Sequence, residues 1–303
     1  MKARTIVLVA LLTFLVAAIL AVGRLVWKRP LAVYAWSNRL APSQLGLDKV
    51  KVDSPAGTQT AFVGGAGPVL VLLHGAGDQA GTWSKVVAEL VKTHRLVIPD
   101  LAGHGASAPR RGPIEVAAIL AGVEACIEGQ AAGGKLTLAG NSLGGWIAML
   151  VAHRHPEWVE RVVAIDGGAI KGENRQAIVL PRTRVEARAA MGQVRDPGSP
   201  RVPDFVLDDV VREASSGALA RFAATAGTME SFLLDGRLGE VKVPVELLWG
   251  ESDRLVPLDY ARRMLAELPA ARLTVIPKCG HVPQQECPEK FLAALRGALG
   301  NLP

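Results

Sequence analysis

A chain of 303 residues that is 50% hydrophobic and 20% charged can bury a large core, which excludes a disordered or fibrous protein. Its net charge of +6 comes without a long Lys/Arg run or a zinc-finger spacing, so no nucleic-acid partner is indicated. Three cysteines, Cys126, Cys279 and Cys287, are too few for a disulfide framework but leave room for one bridge.

Residues 5–23 carry no charge and are almost wholly apolar. Nineteen residues rising about 1.5 Å each span roughly 28 Å, enough to cross a bilayer core. Lys2 and Arg4 precede this run, and Arg24, Lys28 and Arg29 follow it, with Trp27 and Trp36 at interface depth. A cleaved signal peptide is the rival reading, but the run is longer than such peptides need. Its one passable cleavage site, Ala21 and Gly23, would leave Arg24 as the first mature residue. The expectation is therefore a membrane anchor over residues 1–28. The alternative is a secreted or periplasmic protein after cleavage. The flanking basic residues are nearly balanced and leave the orientation open. Residues 24–48 then form a connector that approaches the next domain.

Beyond residue 48, short apolar runs alternate with helix-length segments. Strands are predicted at 69–73, 96–99, 135–139, 162–165, 243–249 and 272–276, with a hairpin from 50–53 and 58–63. Several of these runs are continuous Val/Leu/Ile, as strands covered on both faces should be. Helical patterns occupy 83–92, 114–128, 143–155, 258–268 and 286–299. This alternation predicts an α/β protein with a mainly parallel sheet. The core comprises residues 48–169 and 241–303, and the alternation breaks between them. Residues 170–240 lack strand runs and carry Pro181, Pro197, Pro200 and Pro203. Their first part, to Arg201, holds seven Lys/Arg against three Asp/Glu. Such an insertion is expected to form a cap over the strand ends, suited to an anionic substrate or acidic lipid.

The segment Gly140-Asn141-Ser142-Leu143-Gly144 follows one predicted strand and opens a predicted helix. A serine on such a sharp turn is exposed, and it faces backbone N–H groups at a helix N-terminus. Ser142 is the expected nucleophile, and it needs a base. Of the six histidines, His281 lies in the loop after the last strand, where this architecture places reactive groups. His74 and His104 are expected to shape loops. Asp253, in the loop after the run 243–249, is the expected acid that orients His281. Asp166 and then Glu251 are its competitors. Ala76 and Leu143 are the expected oxyanion N–H donors. Cys279, two residues before His281, is expected to be a small, partly buried residue rather than a second nucleophile.

With these pieces in place, the chain resembles the α/β-hydrolase superfamily over roughly residues 48–300. The matching motifs are HGAG at 74–77, PDLAGHGAS at 99–107, GNSLGG at 140–145, WGESDRLVP at 249–257 and CGHVP at 279–283. The order Ser142, Asp253, His281 is the one that superfamily uses. The resemblance implies a serine hydrolase without metal or organic cofactor. The GNSLGG turn is similar to that of bacterial lipases and esterases, and to that of hydrolases cleaving carbon–carbon bonds in ring-fission products. The latter group shows a Gly-Pro-Gly pattern after HG, whereas this chain has HGAGDQAGTW. Together with the apolar N-terminus, this favours an ester with an apolar acyl group as substrate. A carbon–carbon bond hydrolase and a non-catalytic binding protein remain the alternatives.

Overall fold

Apolar runs such as β3 (Val69–Leu73) need cover on both faces, and the structure supplies it. The computed structural model describes residues 2–130, 133–172 and 180–300. Part of the expected cap, residues 173–179, lies outside the described residues.

The chain opens with helices α1 (Lys2–Lys28) and α2 (Pro30–Gln44), followed by strands β1 (Asp48–Val52), β2 (Gln59–Gly64) and β3. The succession α3 (Ser84–Leu90), β4 (Arg95–Asp100), α4 (Val116–Gln130), β5 (Leu136–Asn141), α5 (Leu143–Arg154) and β6 (Val159–Ile165) comes next. Between β6 and β7 (Val245–Gly250) lie α6 (Arg184–Val194), α7 (Asp204–Ala214), α8 (Ala218–Ala223) and α9 (Ala226–Met229). The chain ends with α10 (Leu258–Glu267), β8 (Ala271–Ile276), α11 (Pro283–Glu286) and α12 (Pro288–Leu299).

The eight strands form one sheet in the order β1-β2-β4-β3-β5-β6-β7-β8, parallel from β4 onward and antiparallel at β1, β2 and β4. Leu70 and Leu72 face one layer with Trp83, Phe291 and Leu295, while Val71 and Leu73 face the other with Leu120, Ile147 and Met264. The predicted helix 286–299 is divided in two, because Pro288 restarts the helix one residue after Cys287.

The expected connector is helical. Arg29, with φ −137° and ψ 53°, interrupts the helix, and Pro30 restarts it as α2. Residues Ile6–Lys28 of α1 are long and apolar enough to cross a membrane, and none of that span is buried inside the protein. It is therefore not a core helix. The end of α1 is fastened to α7. Trp27 stacks on Phe205 with ring centroids 4.7 Å apart, and buried Asp209 accepts the Leu31 N–H at 2.9 Å. Arg29 pairs with Asp209 at 3.4 Å and with Glu213 at 3.1 Å. From there α2 packs against the segment after β3, where the Gln79 side chain donates to the Ala35 carbonyl at 2.7 Å.

Among the described residues between β6 and β7 there is no strand. This helical segment reaches back over the strand ends. Trp146 of α5 donates to the Phe232 carbonyl at 3.0 Å, and the Arg221 guanidinium of α8 donates to the carbonyls of Gly103, Pro109 and Gly112.

Candidate active site

All the chemistry gathers at one edge, because parallel strands β3, β5, β6, β7 and β8 end on the same side. Ser142 sits between the end of β5 and the start of α5, with φ 54° and ψ −116°. A non-glycine residue held there is strained, and the surroundings enforce it. A side chain on Gly144 would strike the Leu73 carbonyl, and one on Gly167 would strike the Ser142 backbone, each at 2.2 Å. The Ser142 N–H is tied to the Ile165 carbonyl at 2.8 Å. Leu143 is the first residue of α5, so its N–H has no carbonyl one turn back to bind. The loop Gly75–Asp78 passes directly alongside: a Cβ on Gly75 would lie 3.3 Å from that of Ser142. Ala76, the other expected donor, follows in that loop.

His281 lies beyond β8 and Asp253 beyond β7, and the structure brings them together. His281 Nδ1 and Asp253 Oδ2 are 2.7 Å apart, both side chains nearly inaccessible to water. The other oxygen of Asp253 accepts the N–H groups of Leu255 at 2.9 Å and Val256 at 3.0 Å. Asp253 is thus held by backbone donors, and one face of its carboxylate is left for the imidazole. The Asn141 amide donates to the His281 carbonyl at 2.8 Å, which ties the histidine loop to the residue preceding Ser142. In the segment 140–144 Asn141 occupies the variable position before the serine. Its partner lies 140 residues away, so no local signal marks it.

The competing acids are placed differently. Glu251 is exposed and accepts the Lys278 N–H at 3.0 Å, which fixes a turn rather than the histidine. Asp166, beyond β6, is fully buried with φ 47°, and its Oδ1 accepts the Gly250 N–H at 2.7 Å. Asp166, Asp253 and His281 each bring a donor atom within 4.8 Å of the others. Burial first, and the neighbouring Asp253 charge second, hold the Asp166 carboxyl well above the usual carboxylate range. Both causes favour the protonated form of Asp166. The three donors have metal-like spacing, but the facing atoms of Asp253 and His281 are already bonded to each other. That is the arrangement of an acid–base pair rather than an ion cage.

His74 and His104 shape loops. His74 Nε2 accepts the Leu101 N–H at 2.9 Å, and its Nδ1 donates to the Gly75 carbonyl at 2.8 Å. Burial lowers His74 to about 4, and burial with the adjacent His74 lowers His104 to about 3. An unfolded chain protonates these rings near 6.5, well before the folded one does, so they cost stability as pH falls below that value. Asp78, raised to about 6 by burial, works in the opposite direction. In His104→Asn, the amide keeps the hydrogen bond to the Ala102 carbonyl and removes the titration. Denaturation between pH 7.5 and pH 5 should show this variant losing about 2 kcal/mol less stability than the wild type.

Cys279 is more buried than the partly buried residue expected, and it forms the one bridge for which the three cysteines leave room. It is fully buried and bonded to Cys287, since α11 turns the chain back and brings the two Cα atoms within 6.0 Å. The bridge closes the loop that carries His281. Glu286 in the same loop accepts the Gly280 N–H at 2.6 Å and the Asp196 N–H at 3.0 Å, joining it to the segment after α6. Cys287→Ser should lower stability by about 2–3 kcal/mol, read as a shifted denaturant midpoint. Cys126, buried and unbonded, serves as an internal control.

A mostly parallel sheet covered on both faces, with a strained serine after β5 and an Asp–His pair beyond β7 and β8, defines an α/β hydrolase. Residues 70–294 match the model of the alpha/beta hydrolase family, and the chain belongs to it. It is 29% identical over 263 residues to an uncharacterized protein of Mycobacterium tuberculosis, covering 78% of this chain and 76% of that one. It is 31% identical over 265 residues to a 2-hydroxy-6-oxononadienedioate/2-hydroxy-6-oxononatrienedioate hydrolase of Paraburkholderia phymatum, covering 78% and 89%. In fold it is similar to a membrane phospholipase A described as a bacterial virulence factor (TM-score 0.72, 24% identity), covering 97% of this chain and 99% of that one.

Proposed function

We propose that the protein is a serine hydrolase of carboxylic esters, held at a membrane by α1 and capped by the helices between β6 and β7. The observation that carries this reading is the buried 2.7 Å pair of Asp253 and His281, tied through Asn141 to the strained turn of Ser142. Asp253 sets the imidazole tautomer, so His281 Nε2 is free to take the Ser142 proton. The serine oxygen attacks the acyl carbonyl, and the N–H groups of Leu143 and Ala76 hold the oxyanion. Collapse expels the alcohol with the proton from His281. Water, deprotonated by the same imidazole, then releases the acid. No step requires a metal or an organic cofactor.

Esters lead over other acyl substrates because α1 puts the site beside a membrane, where esters of long apolar acids are at hand. A second reading, hydrolysis of a carbon–carbon bond in a ring-fission product, is favoured by the 31% identity to the Paraburkholderia phymatum hydrolase. Hydrolysis of p-nitrophenyl esters of graded acyl length by the full-length protein separates them. Turnover rising with acyl length supports the first reading. A folded protein that ignores every ester but cleaves a ring-fission dienone would replace it with the second.

A further inference from the structure

An anchor alone leaves a domain free to tumble above its membrane, but here the anchor is fastened to the cap. Phe205, in the first turn of α7, stacks on Trp27 in the last turn of α1. Asp209, one turn further on, is fully buried where it binds Arg29 and the Leu31 N–H. Arg212 closes the joint by donating to the Lys28 carbonyl at 2.9 Å. Residues packed on the last turn of a membrane span sit at the depth of the headgroups, which is where Trp27 belongs.

The neighbouring element shares that level. Arg184, in the first turn of α6, pairs with Asp208 at 2.7 Å and with Asp204 at 3.2 Å, so the first turns of α6 and α7 lie side by side. Next to Arg184, Val185 is 79% exposed, the most exposed large apolar side chain in the protein among the described residues. An apolar side chain projecting at headgroup depth, among Arg–Asp ion pairs that leave no net charge, matches a bilayer surface.

We infer that the cap edge formed by the first turns of α6 and α7 is a docking surface for the bilayer that α1 enters, and that the substrate is an ester carried in that bilayer. The substrate half of this inference rests on the ester-hydrolase reading above, whereas the docking half does not. Water-dispersed esters need no docked cap. Bilayer-borne esters do, because the edge must meet the headgroups for the acyl group to leave the lipid.

The test uses the full-length protein in vesicles of phosphatidylcholine and phosphatidylglycerol. An environment-sensitive fluorophore is placed at Val185→Cys, and in a second protein at Lys135→Cys, an exposed site before β5 at the opposite edge of the sheet. The expected result is a blue-shifted emission at 185, quenched by lipid-borne nitroxide, with a water-like, unquenched signal at 135. Equal, water-like emission at both sites overturns the docking surface, and so does lipid contact at both, which marks unspecific adsorption. Val185→Glu on the unlabelled protein is expected to lower hydrolysis of a vesicle-borne acyl ester by roughly fivefold to tenfold, while p-nitrophenyl butyrate turnover is unchanged. Equal loss on both substrates would overturn the substrate assignment. Lipid contact at 185 with no turnover of either ester would sink the ester-hydrolase reading and leave the docking surface standing.

Discussion

Ester turnover is expected to fall by about 10⁶-fold in Ser142→Ala, with the protein as well folded as the wild type. The size of the loss follows from the site's construction. In the proposed mechanism the strained turn, the Asp253–His281 pair and the N–H groups of Ala76 and Leu143 all serve one hydroxyl, and none of them can attack a carbonyl in its place. The backbone makes a second, opposite demand at the same residue. Its φ of 54° suits glycine, so Ser142→Gly should relieve strain and raise stability by about 1 kcal/mol while losing activity just as completely. Kinetics with p-nitrophenyl esters read the first effect, and thermal denaturation reads the second. A Ser142→Ala protein that retained most of its turnover would remove Ser142 from the role of nucleophile. A Ser142→Gly protein less stable than the wild type would show that the turn is not under strain.

The candidate site was legible where the signal is local. The strand–Ser142–helix pattern and the loop around His281 are short motifs whose neighbours in sequence are also their neighbours in space. The strands were legible for a related reason. Two covered faces demand unbroken apolar runs, and β3 matches its expected bounds, residues 69–73. The choice between Asp166 and Asp253 was not fully legible, because β6 and β7 are adjacent in the sheet and both deliver a carboxyl to the same spot. What separates them is the contact of His281 Nδ1 with Asp253 Oδ2 at 2.7 Å, whereas Asp166 Oδ1 takes the Gly250 N–H. The segment 170–240 was legible as an insertion expected to roof the strand ends, but its helices and their packing were not. What holds it are long-range ties, such as Arg221 to Gly103 and Trp27 to Phe205, whose partners lie more than a hundred residues apart. The Cys279–Cys287 bridge was open as a possibility. No spacing rule pairs two cysteines across eight residues, and the turn of α11 does so in the folded chain.

Asp253→Asn is expected to lower turnover by about 10⁴-fold, because an amide facing His281 Nδ1 stabilises the wrong tautomer and offers nothing to the imidazolium. Asp166 makes this prediction sharper. Burial and the neighbouring Asp253 charge favour its protonated form, so Asp166→Asn puts a neutral amide where the carboxylate charge is already disfavoured. The amide oxygen can accept the Gly250 N–H as before, and the amide NH₂ can face Asp253. Turnover in that variant should stay within about twofold of the wild type. Removing the Asp253 charge changes the balance. Asp166 loses a repelling neighbour, ionises more readily, and stands within 4.8 Å of both former partners. It then supplies part of the missing negative charge. The double variant Asp166→Asn/Asp253→Asn should therefore be slower than Asp253→Asn by roughly a further tenfold, a coupling that two independent residues would not show. A pH–rate profile adds a second readout, since the residual activity of Asp253→Asn should rise with pH as Asp166 ionises, and the double variant should lack that rise. If Asp166→Asn alone were as damaged as Asp253→Asn, the two carboxyls would have to exchange roles, with Asp166 holding the base and Asp253 holding its loop.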